Sequence, residues 1–142
     1  MGKVGHISTE LPTIDNVITE ERILKYANVS GDFNLVHTNR VFAQESIFGG
    51  IVAHGMMTLA FISNMLTLHF GLDWLKTGSL SVKFKTPARP GDKLRTYGTI
   101  IGDKTIKLGR QLECSVSLLN AVTNEELIAG TATLTITQNK ES

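Results

Sequence analysis

The run from Gly55 to Phe70 constrains this chain more than any other segment. It reads Gly-Met-Met-Thr-Leu-Ala-Phe-Ile-Ser-Asn-Met-Leu-Thr-Leu-His-Phe, is closed by Gly71, and is apolar on nearly every side. A helix that is apolar all round has no face to give to water, so other elements must surround it. As a helix it is about 24 Å long, short of the roughly 30 Å hydrocarbon core of a bilayer. It also carries Ser63, Asn64 and His69, so it reads as a buried helix and not as a membrane span.

Everything after this run reads as strand. Leu80, Val82 and Phe84 alternate with Ser81, Lys83 and Lys85, the period-two pattern of a sheet with one wet face. Pro87 to Asp92 is a turn, because Pro87 and Pro90 cannot donate to a ladder. Further strands are expected at Lys93–Ile101, Thr105–Leu119 and Leu127–Thr137, with turns at Gly102-Asp103 and Val122-Thr123-Asn124. Before the apolar run, residues 1–18 are irregular or extended, interrupted by Pro12, with Val17 and Ile18 as anchors. A helix then starts at Thr19, whose hydroxyl can cap it while Glu20 and Glu21 sit near the positive end of its dipole. Ile23, Leu24 and Ala27 form its buried face, and it gives way at Ser30-Gly31-Asp32. Asn39 to Gln44 makes one short helical turn. An early helical part, one buried helix and consecutive antiparallel strands amount to an α+β fold: a single domain over residues 1–142, its sheet curled around a long central helix.

Composition excludes several classes of function. A chain of 142 residues, 42% hydrophobic and 19% charged, can bury a core without disulfides or a metal. Its 14 Lys and Arg against 13 Asp and Glu leave a charge of +1, too weak a field to hold a nucleic-acid backbone. The single cysteine, Cys114, has no intramolecular partner and reads as a small core residue between Leu112 and Val116, which suits a reducing, cytoplasmic setting. The first ten residues carry no apolar signal segment, and His6 stands where N-myristoylation requires Ser or Thr, so no membrane association is expected.

Unusual residues concentrate between Tyr26 and His37. On an ideal helix, Asp32 and His37 would point about 140° apart, so they converge only if the segment is a loop, which Gly31-Asp32 favours. A converged carboxylate and imidazole can hold one water, one group removing its proton and the other passing a proton to a substrate. Taken singly, Asp32 also fits turn chemistry and His37 a structural role. Gly55 adds context: a glycine opening a buried helix leaves its N–H unshielded at the positive end of the dipole, where a carbonyl oxygen gaining negative charge can bind. Close packing is its other reading.

Taken together, Ser30-Gly31-Asp32-Phe33-Asn34-Leu35-Val36-His37, then Ala43, then Ile51-Val52-Ala53-His54-Gly55-Met56-Met57, resemble the signature of the (R)-specific enoyl-CoA hydratases, the hydratase-2 or MaoC-like dehydratase family. The resemblance extends through the Pro87–Asp92 turn and its flanking strands. It implies the hot-dog fold, a dimer of such domains, and an acyl thioester substrate. Asp32 and His37 would activate the water that adds to C3 of a trans-2-enoyl thioester, and the Gly55 N–H would stabilise the thioester oxygen. Asn34 would fix the loop or orient a catalytic group, and Ser63 falls where the family has a serine near the site; the alternative for Ser63 is a hydroxyl bonded back to the Leu59 carbonyl. Part of the apolar helix, including Met56 and Leu66, would line an acyl pocket. No cofactor is implied, because coenzyme A or acyl carrier protein arrives as part of the substrate. The chain departs from the family at Leu35, where proline is usual.

The remaining features carry less. His6, His54 and His69 are scattered without ligand spacing, and no metal is expected. Lys83, Lys85, Arg89, Lys93 and Arg95 cluster around the Pro-rich turn and could meet coenzyme A phosphates, or form a solvated strand face. Rival readings are a carrier-protein dehydratase subunit paired with a second hot-dog chain, and a thioester-binding module without catalysis, which would be expected to lack the acid or the imidazole. A thioesterase on this fold would place a carboxylate on the central helix, and Gly55–Phe70 contains none.

Overall fold

The apolar run forms helix α4, Gly55–Phe70, with the bounds the sequence predicts. The computed structural model describes residues 9–137, so His6 lies outside the described residues. Along the chain come β1 (Asp15–Val17), α1 (Glu20–Ser30), α2 (Leu35–Thr38), α3 (Arg40–Gln44), α4, α5 (Leu72–Thr77), β2 (Ser79–Phe84), β3 (Lys93–Ile106), β4 (Gly109–Asn120) and β5 (Glu126–Thr137). Thr19 caps α1 as expected, its hydroxyl accepting from the Arg22 N–H.

The strands form one antiparallel sheet in the order β1-β3-β4-β5-β2. Met57, Phe61, Ile62, Met65 and Leu66 of α4 pack into one core with Leu94, Leu112, Cys114, Val116, Leu118, Ile128, Ala132 and Leu134 of the sheet. Each Leu, Ile, Val, Met or Phe side chain among them, fully buried, contributes about 1.5–3 kcal/mol before conformational entropy is subtracted. Contact is close enough at Gly98 that a Cβ there would stand 2.6 Å from Leu11 Cδ1 and 2.9 Å from Met65 Cε. Because β2 is one edge of the sheet and β3 lies near the other, residues 85–92 must cross the end of the sheet between them. That crossing passes the N-terminus of α4, where the Ala53 N–H donates to the Ala88 carbonyl at 2.8 Å. The sheet topology therefore builds a wall beside Gly55.

Five expectations are corrected. Strand β3 runs through Gly102-Asp103, where the register merely shifts, and turns at residues 107–108. A short helix, α5, precedes the strands; it is held between Gly71 and Gly78, with Trp74 packed over Gly78. Leu24 is 49% exposed, because only the Ile23 and Ala27 side of α1 meets the core. Of the two anchors, Ile18 is buried and Val17 is exposed, since a strand alternates its faces. Helix α4 is not surrounded: one sheet covers one flank, leaving Met56 61% and Leu68 70% exposed on the other.

Candidate active site

The loop between α1 and α2 is set by a chain of local hydrogen bonds two residues apart. Gly31 ends α1 in the left-handed conformation at φ 80°. The Asp32 N–H then donates to Ser30 Oγ at 3.1 Å, the Asn34 N–H to Asp32 Oδ1 at 3.1 Å, and the Val36 N–H to Asn34 Oδ1 at 3.2 Å. Ser, Asp and Asn at alternate positions thus supply three successive side-chain turns, and the last caps α2. The turn reading of Asp32 and its chemical reading are compatible, since Oδ1 accepts from the Asn34 N–H while Oδ2 makes no hydrogen bond among the described residues. His37 lies on the single turn of α2, not in the loop; the loop carries Asp32 alone.

Two hydrogen bonds, one between backbones and one from a side chain, pin α2 to the segment before α4. The Val52 N–H donates to the Val36 carbonyl at 3.2 Å, and His37 Nδ1 lies 2.7 Å from the Val52 carbonyl. A carbonyl only accepts, so Nδ1 carries the proton and Nε2 presents its lone pair. His54, 2% exposed, stacks on His37 with ring centroids 3.9 Å apart and planes 25° apart, while Tyr26 meets its ring at 4.8 Å. Its Nε2 lies 2.9 Å from the Asp32 carbonyl. Ring nitrogens of both histidines and a carboxylate oxygen of Asp32 all fall within 4.8 Å of one another. One water making two bonds of about 2.8 Å can bridge groups at that separation. A divalent cation could meet the same three donors, but one nitrogen of each ring is already bonded to a carbonyl and the rings are stacked, so their remaining lone pairs do not converge well on one ion.

Gly55 opens α4 with no capping side chain, and its N–H donates to no acceptor among the described residues. Two cavities flank it. One, of about 480 Å³, is lined by Asn34, His37, Phe48, Gly55, Phe84 and Ala88, among others. The second, of about 330 Å³, is lined by Tyr26, Asp32, His54, Gly55, Met56 and Phe84. Gly55 and Phe84 are common to both, so the free N–H stands on the wall between the acid side and the imidazole side.

The other sequence-named residues are placed as follows. Asn34 is in the loop and bonded as described. Met56 lines the second cavity. Leu66 is fully buried in the core and lines neither cavity, because about three turns of helix carry it away from Gly55. The Ser63 hydroxyl accepts the Trp74 indole N–H at 3.1 Å and is not bonded to the Leu59 carbonyl. Of the basic cluster, Lys85 pairs with Glu126, Arg95 with Asp15, and Arg89 holds the Phe48 carbonyl. His54, read as scattered, belongs to the site, as do Tyr26 and Phe84. The available signal was its position: an imidazole stands in the N-cap slot that Ser, Thr, Asp or Asn usually takes.

Comparison with known proteins agrees with this picture. The profile of the family described as MaoC like domain matches residues 5–123. An (R)-specific enoyl-CoA hydratase of Rhodospirillum rubrum is 33% identical over 90 residues, which is 63% of this chain and 62% of the relative. 3-hydroxyacyl-thioester dehydratase Z of Mycobacterium tuberculosis is 28% identical over 89 residues, 60% of this chain and 59% of the relative. The chain thus matches about three-fifths of the length of these relatives. The solved structure of a MaoC-like dehydratase from Rhodospirillum rubrum superposes with a TM-score of 0.78 at 20% identity, covering 95% of this chain and 94% of that one, a likeness of fold. No described helix is long and apolar enough to cross a membrane. With one antiparallel sheet packed on one long helix and its family profile matched over most of its length, the chain belongs to the MaoC-like dehydratase family and has the hot-dog fold.

Proposed function

We propose that the protein is a hydro-lyase that reversibly hydrates trans-2-enoyl-CoA to (R)-3-hydroxyacyl-CoA. The observation that carries this reading is the convergence of Asp32 and His37 beside an unbonded helix N–H at Gly55. The names of the two relatives support the substrate class and both directions of the reaction.

In the forward direction, Asp32 and His37 hold a water over C3. One of them removes its proton as the oxygen bonds to C3, and the C2=C3 electron pair moves toward the thioester. Negative charge grows on the thioester oxygen, where the Gly55 N–H and the α4 dipole meet it. A proton then passes to C2 on the same face, so one water is added and no group is consumed. His37 is suited to this because the Val52 carbonyl holds its proton on Nδ1 and turns Nε2 outward. Read backwards, the same groups dehydrate an (R)-3-hydroxyacyl thioester. The working unit is proposed to be a homodimer, since a second copy would cover the exposed Met56 and Leu68 flank of α4.

The test is loss of the enoyl-thioester absorbance band with crotonyl-CoA, with chiral analysis of the product. Asp32→Asn and His37→Ala should each reduce kcat by about 10²- to 10⁴-fold. No turnover on crotonyl-CoA or on longer and branched enoyl-CoA substrates would refute the coenzyme A hydratase, and a copurifying second hot-dog chain would then favour the carrier-protein dehydratase. The (S) product would refute the stereochemical assignment.

A further inference from the structure

We propose that His54 is the positioning residue that holds Asp32 and His37 in register, with its own imidazole fixed as the Nε2–H tautomer. This rests on the hydratase reading for its kinetic test, but its structural content stands apart from it.

His54 touches both partners through different atoms. Its Nε2 lies 2.9 Å from the Asp32 carbonyl, which can only accept, so the proton is on Nε2. Its ring face lies on the His37 ring at 3.9 Å, with Tyr26 against the ring at 4.8 Å. The side chain is thus a flat spacer between the loop that carries the acid and the helical turn that carries the imidazole. Those two elements approach the site from different directions: Asp32 follows α1, whereas His37 is tied forward to Val52. Joining the Asp32 backbone to the His37 ring adds a tertiary constraint to the local turns that already link the two residues.

The second ring nitrogen supports this assignment. His54 Nδ1 is buried and has no hydrogen-bond partner, the one such side-chain atom among the described residues. An unpartnered buried polar atom is unfavourable and calls for an explanation. An apolar ring would fill the same slot between Tyr26 and His37 without leaving an orphan. What the imidazole adds over such a ring is the Nε2–H donated to Asp32. A proton on Nδ1 in place of Nε2 would be a buried donor with no acceptor, so the geometry assigns the Nε2–H tautomer. His54 borders the second cavity, but at 2% exposure it offers that cavity very little surface.

The experiment has two independent arms. In the first, long-range proton–nitrogen NMR of the imidazoles in the ligand-free protein should find His37 protonated on Nδ1 and His54 on Nε2. His54 protonated on Nδ1 would overturn the proposal, whatever the enzyme does. In the second, His54→Phe keeps the stack and loses the donor, and His54→Gln keeps an amide donor and loses the stack. Each should lower kcat about tenfold and His54→Ala about 100-fold, the size expected of a reacting group displaced by about 1 Å. KM should stay within about threefold in all of them, because a side chain 2% exposed presents little surface to a substrate. Wild-type kcat in both single-function variants, or a loss confined to KM, would overturn it. Should the alanine variant not fold, the Phe and Gln variants and the tautomers still decide. Absence of turnover in the wild type would count against the hydratase reading and leave the tautomer test in force.

Discussion

Replacing Gly55 with alanine separates stability from function at the centre of this site. A Cβ built on Gly55 would stand 3.2 Å from Cε1 of Phe84, 3.5 Å from Cδ1 and 3.7 Å from Cζ. Carbon atoms rest at about 3.5–4.0 Å, so the ring need yield by only a few tenths of an ångström. Phe84 is half exposed at the end of an edge strand and has room to do so. Alanine is also favoured over glycine by up to about 1 kcal/mol in a helix, and by less in the first turn. These effects oppose each other, so stability should stay within about 1 kcal/mol, a Tm change of no more than roughly 5 °C in a domain of this size.

Activity should respond quite differently. The new methyl points toward Phe84, into the wall shared by the two cavities. A thioester oxygen must come within about 2.7–3.1 Å of the Gly55 N–H to be stabilised, and it now has to clear that methyl. A displacement of about 1 Å lowers the rate about 100-fold. That is roughly 2.7 kcal/mol of barrier. The assay pairs kcat/KM for crotonyl-CoA hydration with a thermal melt. Adding Phe84→Ala to Gly55→Ala restores room and should recover about tenfold of the loss. Wild-type kcat/KM in Gly55→Ala, or a loss that merely follows a collapse in Tm, would refute the argument.

Three further outcomes are expected. Leu35 is the first residue of α2, its N–H is unbonded among the described residues, and Asn34 before it sits at φ −52° and ψ 135°, a conformation that tolerates a following proline. Leu35→Pro should therefore raise stability by about 0.4–1 kcal/mol with activity retained, and a lower Tm would show that the leucine side chain contributes more than the loop entropy. Gly130→Ala would bring a Cβ to 2.1 Å from the Ser81 carbonyl oxygen and 2.6 Å from Val82 Cα, forcing β2 away from β5. A loss of about 3 kcal/mol is expected, read as a drop of roughly 10 °C in Tm, and a melt unchanged from wild type would contradict that pairing. Burial, aided by the Glu113 charge, pushes the Cys114 thiol up to about 11. The native protein should then resist thiol reagents at neutral pH and react once unfolded, since the thiolate is the nucleophile. Because the folded value is raised, the associated stability is intact below the ordinary thiol range and is lost as pH climbs toward about 11. Native-state labelling as fast as that of free cysteine would contradict the buried placement.

How far each feature could be read follows from how local its causes are. Thr19 as a cap, Gly71 as a stop, and the alternation of Leu80 and Val82 with their polar neighbours each depend on residues a few positions away, and each is found, whereas Phe84 at the strand end is exposed. Gly102-Asp103 has the composition of a turn, yet pairing with Leu112 and Glu113 carries the strand through it. The actual hairpin uses Lys107 and Leu108, which have no turn composition. His54 illustrates the same limit in the site. One residue before the helix, it looked like an isolated imidazole, because its partners Asp32 and His37 are 22 and 17 positions away in the chain.

By itself the sequence determined the long helix, the one-sided sheet, the loop that carries Asp32, and the glycine that opens α4. All of these are written in periodicity, capping and turn chemistry, which act over a few residues. Only the tertiary structure decided which flank of α4 stays uncovered, that Leu66 and Ser63 turn into the core and onto Trp74, and that His54 stands between Asp32 and His37. Those outcomes depend on where β2 joins the sheet and on which carbonyl each imidazole meets, and both are settled by packing between segments far apart in the chain.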